Sequence, residues 1–257
     1  MRRSCAEPAA DAARALACLD LTLLEEGATP RDVDALCDRA RTPHGPVAAV
    51  CVFPASVARA RSRLAGSGIR VATVVNFPGG DLPIGSIRTT AAEALAAGAQ
   101  EIDMVIPWQA LHAGDEGPVR ETIRTIRQTA RDAVLKTILE TGALDRPELI
   151  ARAATIAIAE GADFLKTSTG RAEVNATPEA VEILLEAAKA APRTVGVKPA
   201  GGIRTADDAA RLLALADRIM GPDWARPETF RIGASSLISS LLAVLDGEAA
   251  TLPGGGY

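Results

Sequence analysis

The chain has 257 residues, 48% of them hydrophobic, and a formal net charge of −4. That length suits one packed core, since α/β barrels of about 250 residues form a single domain, and the negative balance argues against nucleic acid or an anionic membrane as the main partner. No apolar run approaches the roughly 18–20 residues of a spanning helix, and Glu7, Asp11 and Arg14 interrupt any signal-peptide core, so the expected location is the cytoplasm.

In chain order, residues 1–17 read as a short helical extension. Short apolar runs then alternate with longer amphipathic segments. The expected strands are 18–22, 47–53, 70–77, 101–107, 133–140, 162–168, 194–200 and 230–235. The expected helices are 29–42, 54–66, 84–97, 118–131, 145–160, 177–191, 205–216 and 236–246. Several helices open on good start signals, such as Thr29-Pro30, Thr177-Pro178 and Thr205 before Asp207 and Asp208. Residues 217–228 read as a longer connection, and 247–257 as a mobile Gly- and Pro-containing tail.

Eight strands alternating with eight helices imply parallel strands joined by helical crossovers. The fold class is α/β, and the regular spacing favours a single closed (β/α)8 barrel over residues 1–257. An open doubly wound sheet would normally carry a G-x-G-x-x-G turn after its first strand, and none is present.

Cys5, Cys18, Cys37 and Cys51 lack C-x-x-C spacing and read as reduced, mostly buried thiols. His44 and His112 sit in loop contexts. No metal-ligand spacing, nucleophile elbow or Walker loop appears, so neither metal nor cofactor is expected.

The lysine count is informative. Only four of the 28 basic residues are lysine, at positions 136, 166, 189 and 198; the rest are arginine. Arginine cannot lose its proton to become an amine nucleophile, whereas lysine can. Lys189 lies at a polar helix end. Lys136, Lys166 and Lys198 lie inside apolar runs, a costly place for an ammonium unless it is paired, neutral or in use.

In a barrel the strand carboxyl ends build the active site. Lys166 and Lys198 then fall on adjacent strand ends. A second ammonium nearby lowers a lysine pKa and frees the amine to attack a carbonyl. The resulting iminium is an electron sink for breaking or forming a neighbouring carbon–carbon bond. Asp103 is the best-placed carboxylate to move protons. The competing reading makes these residues buried ion pairs that support the barrel. Separately, Thr169-Gly170-Arg171, Gly201-Gly202 and Gly233-Ala234-Ser235-Ser236 follow the last three strands. Glycines admit backbone N–H groups to an anion, and a helix starting near Ser236 directs its positive end there.

At these residues the sequence resembles the deoxyribose-phosphate aldolases. The stretches that carry the resemblance are LDLTLL (19–24), AVCVFP (49–54), EIDMVIP (101–107), LKTILETG (135–142), GADFLKTSTG (161–170), GVKPAGGIRTADDA (196–209) and FRIGASSL (230–237). The resemblance implies a metal-free class I aldolase that reversibly cleaves 2-deoxy-D-ribose 5-phosphate to D-glyceraldehyde 3-phosphate and acetaldehyde. It makes Lys166 the Schiff-base lysine, Lys198 its tuner and relay partner, and Asp103 the acid–base group. Asp20, Thr22 and Cys51 match pocket positions, and Gly170, Arg171, Gly201, Gly202, Gly233, Ser235 and Ser236 fall in the phosphate loops. Arg171 is a departure, since many members carry lysine there. Some members end in a tyrosine that folds over the site; Tyr257 either does this or belongs to a disordered end. Two rivals remain: another Schiff-base barrel enzyme, such as a keto-acid-sugar aldolase or transaldolase, and a barrel that binds a sugar phosphate without covalent chemistry. The expected partner is a small phosphorylated sugar, and a homodimer is compatible with the sequence.

Overall fold

The computed structural model describes residues 6–248. Strands β1 (Leu19–Leu23), β2 (Ala49–Val52), β3 (Arg70–Val75), β4 (Glu101–Val105), β5 (Val134–Ile138), β6 (Phe164–Lys166), β7 (Gly196–Lys198) and β8 (Ile232–Ala234) form one sheet. All are parallel and pair in chain order, with β8 returning to β1. The seam between β7 and β8 is closed by bridges Val197–Phe230 and Ala200–Gly233. Its backbone bonds include Arg231 N–H to Val197 O at 3.1 Å and Gly233 N–H to Pro199 O at 2.9 Å. The molecule is therefore a (β/α)8 barrel.

The helices between the strands begin where the sequence supplies caps. Helix Pro30–Arg39 starts with a capping box from Thr29 and Asp32, and helix Ala206–Met220 with one from Thr205 and Asp208. In each, a hydroxyl and a carboxylate satisfy N–H groups that the first turn leaves unpaired. Helix Ala6–Ala17 is the expected N-terminal extension. It packs against helices Ala206–Met220 and Leu237–Leu245, and Arg14 makes a two-pronged ion pair with Asp217 at 2.7 and 2.9 Å.

Most strands are shorter than the sequence reading made them, and the helical segments differ most in the following places. The helix expected over 205–216 runs on to Met220, because Leu212, Leu213, Ala216 and Ile219 keep an apolar face buried through what read as a connection. The helix expected over 29–42 stops at Arg39, and a small antiparallel ribbon, Arg41–Thr42 with Gly45–Pro46, follows it. The helix expected over 118–131 is preceded by a short one, Trp108–His112. The end of the tail, including Tyr257, lies outside the described residues.

Side chains two apart share a face of a strand, and this places the charges. Leu19, Leu21, Ile102, Met104, Leu135, Leu165, Val197 and Ile232 join the apolar layer between sheet and helices. Asp20, Glu101, Asp103, Lys136, Lys166, Lys198 and Arg231 alternate with them and point into the barrel. A smaller apolar cluster of Cys51, Ala72 and Val74, with Leu24, Phe53 and Phe77, fills the side of the interior built by β2 and β3. The interior thus has a charged half and an apolar half.

Candidate active site

Strand register places the expected reacting groups. Lys166 and Lys198 are directly paired positions on β6 and β7, and Asp103 and Lys136 are paired on β4 and β5. One carboxylate joins all three lysines. Asp103 Oδ2 accepts from Lys166 Nζ at 2.8 Å and from Lys198 Nζ at 2.6 Å, while its Oδ1 accepts from Lys136 Nζ at 2.9 Å. Lys198 Nζ also donates to Asp20 Oδ2 at 2.5 Å. Below them, Arg231 bridges Asp20 Oδ1 at 2.6 Å and Glu101 Oε1 at 2.9 Å, and Lys136 donates to Glu101. The Arg231 guanidinium lies 5.7 Å from the centre of the Phe164 ring. All these side chains are buried.

Burial and pairing pull the ionisable groups apart. Burial alone would raise the Asp103 carboxyl, but Lys136, Lys166 and Lys198 outweigh it and hold the group well below the usual carboxylate range. Burial likewise opposes the ammonium of Lys198, yet Asp103 and Asp20 hold its pKa above that of an ordinary lysine. Lys166 goes the other way. Burial pulls its pKa down, Asp103 resists, and the nearby Lys198 charge adds to the fall. Burial is thus the leading cause of the depressed Lys166 pKa, and the second lysine contributes behind it. Groups whose surroundings separate their protonation states in this way mark acid–base sites.

Above Lys166 lies a cavity of about 300 Å³. Its wall holds Thr22, Thr169, Gly170, Arg171, Gly201, Gly202, Gly233, Ser235 and Ser236, so all three expected anion loops converge on one space with the Lys166 amine. Gly170, Gly201 and Gly202 have φ of 82°, 84° and 82°, a conformation that residues with a Cβ rarely adopt. At Gly233 an added Cβ would lie 2.8 Å from Ala200 Cβ and 3.1 Å from Lys198 Cε, so only glycine lets β8 approach the lysine. Helix Leu237–Leu245 starts at the rim with Ser236 at its cap, and the Ser236 hydroxyl caps none of its N–H groups. The Arg171 guanidinium donates to the Leu24 carbonyl, which ties the β6 loop to the end of β1.

Two expected pocket residues lie elsewhere. Asp20 is fully buried beneath the cavity, where it pairs with Lys198 and Arg231. Cys51 is fully buried in the apolar half, and burial pushes its thiol up to about 11. Neither lines the cavity. Thr22 does, and its hydroxyl donates to Asp20 O at 2.9 Å. The sequence reading gave no role to Glu101, Lys136 or Arg231. Their signal was present: each is a charged residue inside an apolar strand, and Glu101 stands two positions from Asp103, on the same face.

This arrangement presents a buried amine of depressed pKa, a carboxylate touching it, and a cavity beyond them lined by glycine- and serine-containing loops. Comparison with known proteins identifies the family. Residues 14–240 match the DeoC/LacD family of aldolases. The deoxyribose-phosphate aldolase of Agrobacterium fabrum is 49% identical over 252 residues, covering 97% of this chain and 97% of that one. Among solved structures, a Toxoplasma gondii ME49 protein provisionally assigned as a deoxyribose-phosphate aldolase superposes with a TM-score of 0.86 at 26% identity, over 96% of this chain and 98% of its own. The tetrameric deoxyribose phosphate aldolase of Aeropyrum pernix superposes with a TM-score of 0.75 at 28% identity, over 94% and 98%.

Proposed function

The chain belongs to the DeoC/LacD family of aldolases, and from that premise we propose how it works. It is a class I aldolase that reversibly cleaves 2-deoxy-D-ribose 5-phosphate to D-glyceraldehyde 3-phosphate and acetaldehyde. The free amine of Lys166 adds to the C1 aldehyde of the open-chain sugar, and loss of water gives an iminium. Asp103 takes the proton of the C3 hydroxyl, directly or through Lys198. The C2–C3 bond breaks, its electron pair moves into the iminium, and D-glyceraldehyde 3-phosphate leaves. The remaining enamine takes a proton at C2. Water then hydrolyses the iminium to acetaldehyde and restores the Lys166 amine.

The observation that carries this reading is the position of Lys166 Nζ, at the floor of the cavity and 2.8 Å from Asp103 Oδ2. The anion loops would hold the phosphate through the backbone of Gly170, Gly201, Gly202 and Gly233, the charge of Arg171, and the helix start at Ser235 and Ser236. The described residues act as one barrel domain, in the cytoplasm, where thiols such as the buried Cys18, Cys37 and Cys51 stay reduced. A homodimer is compatible with the sequence, and light scattering checks it. No described helix is long and apolar enough to cross a membrane.

Borohydride reduction in the presence of acetaldehyde tests the chemistry. It should add one ethyl group per chain, mapped to the peptide carrying Lys166, and Lys166→Arg should abolish both trapping and cleavage with the fold kept. Trapping of a keto acid but not acetaldehyde would favour the keto-acid-sugar aldolases. Absence of any adduct, with ligand-induced stabilisation retained, would favour a binding barrel.

A further inference from the structure

Glu140 is a buried carboxylate that the catalytic scheme does not use. It follows β5, is 4% exposed, and holds φ 55° and ψ 58°, the left-handed region. Such a conformation is uncommon for a residue with a Cβ and persists only where the surroundings enforce it. Its partner is Thr169, across the gap between the β5 and β6 loops. Thr169 Oγ1 donates to Glu140 Oε2 at 2.6 Å, and Thr169 N–H donates to Oε1 at 3.3 Å. The single proton of the hydroxyl is therefore committed to Glu140. Its lone pair accepts the Arg171 N–H at 3.0 Å, which closes the turn around Gly170.

The same corner grips the loop a second time. A Cβ on Gly142 would lie 2.0 Å from the Val174 carbonyl oxygen, so the backbones of the two loops are in direct contact there. On the other side, Gly201 approaches so closely that its Cβ would lie 2.7 Å from Asn175 Oδ1. Thr169, Gly170 and Arg171 line the cavity, whereas Glu140 does not. A carboxylate beside an anion cradle repels a phosphate through space. Attraction of the ligand therefore cannot account for Glu140, but orientation of the loop can.

We propose that Glu140 is a positioning residue for phosphate selectivity: through Thr169 it fixes the β6 loop so that Gly170 and Arg171 face the anion. The inference rests on the phosphate-loop reading above. A carboxylate suits this corner because each of its oxygens meets one Thr169 donor, whereas an amide would turn a second donor toward the hydroxyl that already receives the Arg171 N–H.

The test compares kcat and KM on 2-deoxyribose 5-phosphate and on 2-deoxyribose for wild type, Glu140→Gln, Thr169→Val, Thr169→Ser and the Glu140→Gln/Thr169→Val double variant. Glu140→Gln should lower the preference for the phosphorylated substrate about tenfold, the scale of one hydrogen bond to a charged group, mainly through KM. Thr169→Val should do the same, the double variant should be no worse than either single one, and Thr169→Ser should keep the preference. Equal losses on both substrates, a loss confined to kcat, or additive losses in the double variant would overturn the proposal. If Glu140→Gln fails to fold, the contrast between Thr169→Ser and Thr169→Val decides it: equal preference in those two overturns it. A wild-type enzyme with no preference for the phosphorylated sugar would instead overturn the phosphate reading, and this inference with it.

Discussion

Lys166 can be a free amine because its neighbours already balance one another. In the network beneath the cavity, Asp20, Glu101 and Asp103 face Lys136, Lys198 and Arg231. Arg70 also reaches Glu101, at 3.6 Å from the solvent side; among the buried groups three negative and three positive charges cancel, so a neutral Lys166 leaves the buried set neutral and a protonated one leaves it a charge in excess. Lys198→Leu upsets this balance, since Lys166 must then supply the missing charge. Its pKa should rise, and the rising limb of the pH profile of kcat/KM, which reports formation of the free amine, should move to higher pH. An unchanged limb would sink the balance argument. The variant should also lose on the order of 3 kcal/mol of stability, because it strips a partner from buried carboxylates. Cys51 allows a second check at this scale. Fully buried, with its thiol pushed up to about 11 by burial, it should resist iodoacetamide in the folded enzyme and react only on unfolding. Rapid alkylation of Cys51 in active enzyme would show an open path to the barrel interior that the structure lacks.

At the level of elements, the decisive contacts are close approaches between strands. Gly233→Ala should drive a methyl group into Ala200 and Lys198. Overpacking of this kind costs about 1–3 kcal/mol, and displacement of Lys198 should lower kcat by more than the change in stability explains. Wild-type turnover in that variant would mean the seam can relax without moving the lysine. Thr205→Ala removes the hydroxyl that accepts the Asp208 N–H at 3.1 Å and should cost about 1 kcal/mol in denaturant titrations, with activity intact. Much of this was legible beforehand. Strand alternation gave the barrel, lysines in apolar runs of an arginine-preferring chain marked Lys136, Lys166 and Lys198 as buried charges, and adjacent strand ends paired the last two. What the sequence could not display was depth. Asp20 and Thr22 share a face of one strand, yet one is sealed below the cavity and the other lines it. Glu140 reads as the last residue of the strand over 133–140, whereas the strand ends at Ile138; its backbone conformation and its contact with Thr169, which joins two loops, come from the fold alone.

For the whole molecule, the ion network makes stability a function of pH. Asp20 and Asp103 have folded pKa values held below the ordinary value of about 3.9. The unfolded chain therefore binds more protons than the folded one as pH falls through that value. Their contribution should be complete above roughly pH 5 and decline steadily below pH 4, read as the urea midpoint against pH. A midpoint that stays level from pH 6 down to about pH 3 would mean the network gives no net support to the fold. The members of this network are also widely scattered along the chain. Asp20 is 178 residues from Lys198 and 211 from Arg231, and Arg231 is 130 from Glu101. Contacts of such long sequence separation form late, because loop closure must precede them. The nucleophile therefore has no local existence: a fragment lacking either end of the chain keeps Lys166 but loses the partners that set its proton affinity. In a refolding time course, capture of acetaldehyde should lag behind the return of helical signal, so that the reactive amine serves as a clock for the closing of the barrel.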